Sequence, residues 1–175
     1  MVELGKKLSI RSFYFWKIVV IFLLLAIPGF ILPSKLVISY GDSVDYKVFW
    51  KSSIDNLSYD SYVVLKTPKE DPFAKGVNIV KRVGCLEGDE LLIEGKAYYC
   101  VRKVVGKVVF LGVAKERSKT GIKVNQFNPC GSNPCRVKVP EGYIFAVGDH
   151  KDSYDSRYFG WVSYGRIIAV AKPLF

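Results

Sequence analysis

VNIVKRV, residues 77–83, alternates along its length, so that Val77, Ile79, Lys81 and Val83 fall on one face of an extended chain. Three of the four are β-branched, as strands favour. The fourth is a lysine. If that face is buried, desolvation disfavours the ammonium and lowers its pKa. A lysine that is neutral near physiological pH is a competent general base. If the face is exposed, Lys81 is an ordinary solvated surface residue.

Outward from this stretch the chain keeps the same habit. Leu36–Tyr40, Tyr62–Lys66, Leu91–Glu94, Ala97–Lys103, Val108–Val113, Gly121–Val124, Arg136–Val139, Tyr143–Val147 and Arg166–Ala171 are short apolar or alternating runs between glycine-bearing or charged turns. Many short strands with turn signals predict a mainly β sandwich or barrel. No long amphipathic helical pattern and no repeat appears after residue 33. Asn125–Asn133 is a polar Gly/Pro-bearing loop.

Before the strands comes a different kind of segment. Phe13–Leu32 is apolar apart from Lys17 and long enough to span a bilayer as a helix. Lys6, Lys7 and Arg11 precede it, so residues 1–12 are expected on the cytoplasmic side and residues 33–175 outside. The rival is a cleaved signal peptide, but Pro33-Ser34-Lys35-Leu36 offers no cleavage site of small residues. The expected organisation is therefore a tail (1–12), a single-pass anchor in the cytoplasmic membrane (13–32) and an exported domain (33–175).

Composition agrees with a folded domain on an anchor. The 175 residues are 50% hydrophobic and 14% aromatic, enough for a core. The net charge of +10 is spread along the chain, without a lysine-rich run, so the basic balance points to a membrane surface and not to nucleic acid. All four cysteines, Cys85, Cys100, Cys130 and Cys135, lie in the exported part, where an even count predicts disulfides. Cys130–Cys135 is expected to close a short loop with its own bridge, and Cys85 with Cys100 would then be the second pair, although the spacing does not fix the connectivity. The C-x4-C and C-x14-C spacings are not those of a zinc finger, and neither a metal nor a cofactor is expected.

GDHKDSYDSRYFG, residues 148–160, is the other unusual stretch. It gathers five charged side chains and the chain's only histidine between two glycines. By itself it is a charged surface turn.

Three separated stretches together change that. VKRVGCLEGD (80–89) resembles the lysine box of type I signal peptidases, which runs like K-R-V-x-G-L-P-G-D. GDHKDSYDSRYFG resembles their C-terminal box, G-D-N-x-x-x-S-x-D-S-R-Y-W-G. GDSVDYKVFW (41–50) stands where that family keeps its nucleophilic serine, just after the anchor, and SYDSYVVL (58–65) loosely matches a further structural box. The resemblance implies a signal peptidase/LexA-like coiled β-sandwich with one N-terminal transmembrane helix. LexA-like repressors share the fold but are soluble and carry a DNA-binding domain, which the anchor argues against. Within the family the chain is similar to the TraF-type peptidases of conjugative transfer. It is short, its C-terminal box is one residue shorter between Asp149 and Asp155, and its serine is followed by x-x-x-K-V-F-W. That branch matures pilin precursors, some of which are closed into rings.

By position, the resemblance makes Ser43 the nucleophile and Lys81 its general base, a dyad that needs no histidine. It makes Ser153 the residue that orients the lysine. Asp155 and Arg157 are expected to form an internal ion pair, and Asp149 to pair with Arg157 or cap a backbone N–H, with Tyr158 and Phe159 anchoring the loop. The sequence departs from the family at Asp45, Cys85, Glu87 and His150, and Gly41 cannot supply the side-chain hydroxyl that many relatives use at the oxyanion. The implied partners are the bilayer and an exported precursor, pilin-like or bearing a signal peptide. A general signal peptidase and a non-catalytic anchored assembly factor are the alternatives.

Overall fold

A computed structural model describes residues 15–24, 26, 34–104, 106–118 and 121–175. The chain divides into two compact units, Met1–Leu36 and Val37–Phe175. In the first, residues 15–24 and 26 are helical. Among the described residues no helix is long and apolar enough to cross a membrane. The tail expected over 1–12 and most of the second half of the expected anchor lie outside the described residues.

Among the described residues, eleven strands form two sheets. They are β1 (Leu36–Ile38), β2 (Val48–Ser52), β3 (Tyr62–Lys66), β4 (Asn78–Cys85), β5 (Glu90–Glu94), β6 (Ala97–Val101), β7 (Val108–Val113), β8 (Cys135–Lys138), β9 (Tyr143–Val147), β10 (Val162–Ser163) and β11 (Ile167–Pro173). The larger sheet runs β1-β2-β11-β3-β4-β9-β10 and the smaller β7-β6-β5-β8. Every pairing from β2 to β10 and every pairing in the smaller sheet is antiparallel. The mainly β class expected from the turn-punctuated apolar runs is the one observed.

β4 lies between β3 and β9, with Val63 opposite Lys81 and Val147 opposite Arg82. A central strand is covered on both faces, and from Val80 to Cys85 only Arg82 is not fully buried. Val77, expected on the buried face, precedes the strand and is exposed. The strand also runs past Val83, because Gly84 has no Cβ. One added there would stand 2.8 Å from Leu111 Cδ2 and 3.2 Å from the Phe145 carbonyl. Ile79 and Val83 pack with Val63, Leu65, Ile144 and Ala146, while Val80, on the other face, packs with Val44, Phe49 and Val64.

Two expectations are corrected. Gly121–Val124 is not a strand. Only an isolated bridge, Arg117 to Lys123, forms there. Val48–Ser52, which starts inside the serine box and lies outside the expected runs, is a strand, paired with β11. Both cysteine pairs are disulfides, Cys85–Cys100 joining β4 to β6 and Cys130–Cys135 closing the loop before β8.

Candidate active site

Lys81 is 2% exposed, although it carries an ammonium. Its Nζ donates to Ser153 Oγ at 2.8 Å, and Ser153 is equally buried. Burial pushes the lysine pKa down to about 8, against the opposing pull of Asp155. A group with that pKa exchanges its proton near neutral pH, as a general base must. The alternation that put Lys81 beside Ile79 and Val83 is what buries it.

Ser153 is held by the polar stretch around it. Asp155 is fully buried and caps the one-turn helix Ser156–Phe159 by accepting from Arg157 N–H. Its carboxylate also accepts from Gly148 N–H at 2.8 Å, from Arg157 Nε at 2.8 Å and from Arg157 Nη2 at 2.7 Å. The guanidinium, itself 2% exposed, donates further to the Val113 carbonyl at 3.1 Å. Ser156 Oγ accepts from Ala146 N–H at 3.0 Å, fastening the helix to β9. Two buried charges are tolerable here because each is paired and its remaining hydrogen-bonding capacity is largely used. Tyr158 and Phe159 pack against the two neighbouring cores.

Ser43 arrives from the other end of the chain. Its turn is closed by Lys47, whose Nζ donates to the Gly41 carbonyl and to Asp42, both at 3.1 Å. Val44, buried at 3%, pins the turn into the core. The Ser43 carbonyl accepts from Asp149 N–H at 2.8 Å. A Cβ on Gly148 would collide with Ser153 and stand 2.5 Å from that same carbonyl oxygen, so the main chain of Ser43 and the side chain of Ser153 meet over one glycine. No hydrogen bond joins Ser43 Oγ to Lys81 Nζ, and the serine hydroxyl has no hydrogen-bond partner among the described residues. A Cβ at Gly41 would lie 3.8 Å from Ser43 Oγ, in ordinary contact.

Asp149 does not pair with Arg157. Arg157 is taken up by Asp155 and by the Val113 and Ser153 carbonyls, and Asp149 turns to β4 and β3 instead. It accepts from Arg82 Nε at 2.6 Å and from Tyr62 Oη at 2.8 Å, and it takes the Asp45 backbone N–H at 3.3 Å. Arg82 and Tyr62 thus tie the serine turn to the strand that carries Lys81, and neither was singled out in the sequence. The available signal for Arg82 was its place next to Lys81, hence on the opposite face of an alternating strand. His150 is a turn residue whose Nδ1 accepts from Asp152 N–H at 3.2 Å.

The family model for signal peptidase, peptidase S26, matches residues 13–175. No curated protein sequence matches the chain. Among solved structures, a signal peptidase I from Enterococcus faecalis V583 is similar, with 21% sequence identity, 67% of this chain and 98% of that chain covered, and a TM-score of 0.41.

Proposed function

The chain belongs to the signal peptidase family, whose members are serine peptidases that cleave precursors, and on that premise we propose that Ser43 and Lys81 are its catalytic pair. The observation that carries this is the buried Lys81 Nζ, held by the neutral Ser153 hydroxyl beside the main chain of Ser43. Ser43 Oγ attacks the scissile carbonyl while Lys81 takes its proton. The C–N bond then breaks, and the same proton passes to the leaving amine. A water deprotonated by Lys81 releases the acyl group and restores Ser43. The Ser43 backbone N–H is one donor to the oxyanion. When a substrate's own amine replaces the water, the product is a ring.

The substrate is an exported precursor, bound as an extended strand. The short C-terminal box and the serine context favour a pilin-like subunit of a conjugative system. The bulk of the chain lies outside the cytoplasmic membrane on an N-terminal anchor, a placement that the two disulfides support. General removal of signal peptides is the second reading, favoured by the family itself.

The test uses membranes that contain the full chain and a candidate pilin precursor, with Ser43→Ala and Lys81→Ala as comparisons. Both variants, still folded and inserted, are expected to leave the precursor uncut. Product masses separate a ring, lighter by one water, from a linear chain. Processing that survives both substitutions removes the peptidase reading and promotes an assembly factor.

A further inference from the structure

Asp149 is a junction between the two halves of the candidate site, and its polar atoms have different tasks. Its N–H donates to the Ser43 carbonyl at 2.8 Å. Its Oδ1 accepts from Nε of Arg82, the residue after Lys81. Its Oδ2 is shared by two donors, Tyr62 Oη at 2.8 Å and the Asp45 N–H at 3.3 Å. Tyr62 and Arg82 stand opposite each other across β3 and β4, so one facing pair holds both oxygens of the carboxylate.

Tyr62 also meets the serine turn through its ring. It is 7% exposed and packs in one cluster with Phe49 and with Val44, the residue after Ser43. Its ring lies 5.2 Å from that of Phe49 and, edge to face, 5.7 Å from that of Tyr46. The stretch from Val44 to Phe49 is thus gripped twice, by ring packing and through the carboxylate that the hydroxyl holds. Burial and the bond to Asp149 raise the pKa of the phenol, so it remains a donor at every pH at which Lys81 exchanges its proton.

We infer that Tyr62 is a positioning residue for the nucleophile, setting the direction of the Ser43 turn through Asp149. The inference rests on the Ser43–Lys81 reading. Lys81 has its own orienting partner in Ser153. Ser43 is oriented through its main chain, whose carbonyl takes the N–H groups of Asp149 and His150 at 2.8 and 3.3 Å. A carboxylate held at both oxygens fixes the residue whose N–H holds Ser43. Without the Tyr62 hydroxyl, Oδ2 keeps the longer bond to Asp45, and Asp149 is free to swing about its bond to Arg82.

Wild-type and Ser43→Ala chains in detergent are incubated with a proteome-derived peptide library. A peptide that the wild type cuts and Ser43→Ala does not serves as the substrate. Tyr62→Phe keeps the ring and loses the hydroxyl. It is expected to lower kcat about tenfold with KM within about twofold, because a misplaced nucleophile slows the chemistry and not the binding. The rise of kcat with pH through about 8 is expected to stay in place, since Lys81 and Ser153 are untouched. Tyr59→Phe is the matched control. It removes a hydroxyl that also donates at 2.8 Å to a carboxylate, that of Asp89, which holds the N–H groups of Leu86 and Lys103 and not the serine turn. Its kcat is expected to equal that of the wild type, both variants being read at a temperature where circular dichroism shows them folded. A Tyr62→Phe chain with the wild-type kcat, or with a loss that Tyr59→Phe reproduces, overturns the positioning role alone. So does a shifted pH limb, which would mean that Tyr62 acts on Lys81 and not on Ser43. A wild type that cuts nothing, or a Ser43→Ala chain that cuts as the wild type does, overturns the Ser43–Lys81 reading and the role of Tyr62 with it.

Discussion

Lys81 and Ser153, 72 residues apart in the chain, are joined inside the protein by a 2.8 Å hydrogen bond from Nζ to Oγ. The kind of partner matters. A carboxylate in the place of Ser153 would favour the ammonium and raise the pKa of the lysine, whereas a hydroxyl orients Nζ without adding charge. Burial then prevails, and Lys81 titrates at about 8.

Cleavage is therefore expected to rise with pH through about 8, as Lys81 gives up the proton that blocks it from acting as a base. Ser153→Ala leaves Nζ without its acceptor and free to turn away from Ser43. It is expected to lower kcat roughly tenfold or more with KM little changed, and to move this limb of the profile. Steady-state rates against pH for both proteins check this. An unmoved limb in Ser153→Ala would mean that Ser153 fills space and does not position the lysine.

The same lysine strains the fold. Its folded pKa of about 8 lies below the ordinary 10.5. Between those values the unfolded chain holds a proton that the folded chain has lost, so stability rises with pH across that window. Below it the cost is present in full. A shift of this size corresponds to roughly 3 kcal/mol. Lys81→Met is expected to abolish cleavage and to stabilise the protein at neutral pH by about 1–3 kcal/mol, the lost bond to Ser153 offsetting part of the gain. Urea denaturation of both proteins near pH 7 and near pH 10 measures it, and the advantage of the variant should shrink at the higher pH.

Local patterns explain which parts of this could be foreseen. The bounds of β3, β7 and β9 coincide with apolar runs legible in the chain, because alternation and β-branching are properties of consecutive residues. Whether a run finds a partner is not such a property. Gly121–Val124 has the pattern but makes only one bridge, while Val48–Ser52, which ends in Lys51 and Ser52, is a strand because β11, some 120 residues later, pairs with it. The pairing of charges is equally non-local. Asp155 and Arg157, two residues apart, were foreseeable as a pair. Asp149 finds Arg82, 67 residues away, only once β4 and β9 lie side by side.

Gly148 is where the two halves of the candidate site touch. A Cβ there would meet the Ser43 carbonyl at 2.5 Å and collide with Ser153, and a backbone carbonyl held by Asp149 N–H has little room to retreat. Gly148→Ala is expected to destabilise the fold by about 1–3 kcal/mol, as overpacked sites do, and to lower kcat more than the stability loss explains. Thermal unfolding and kinetics at a temperature where the variant remains folded distinguish the two effects. A variant of normal activity would show that Ser43 and Ser153 need not approach this closely.

Arg157 heads the fully buried side chains by size, and nearly all of its hydrogen bonding is directed at Asp155 and at the carbonyls of β7 and Ser153. Even its packing is specific to it: Gly112, at φ 109°, keeps the space in which a Cβ would stand 2.5 Å from Arg157 Nη1. Asp155→Asn preserves the shape of the acid but removes the charge opposite a guanidinium that cannot reach water. The expected cost is about 3–5 kcal/mol, the usual consequence of leaving one member of a buried pair alone. Adding Arg157→Met to Asp155→Asn removes the stranded charge, so the double variant should be more stable than Asp155→Asn alone. Denaturant titrations of the two single variants, the double variant and the wild type give the coupling between the residues. Additive losses would mean that the Ser153 loop is held by packing, and that the ion pair does not position the residue on which Lys81 depends.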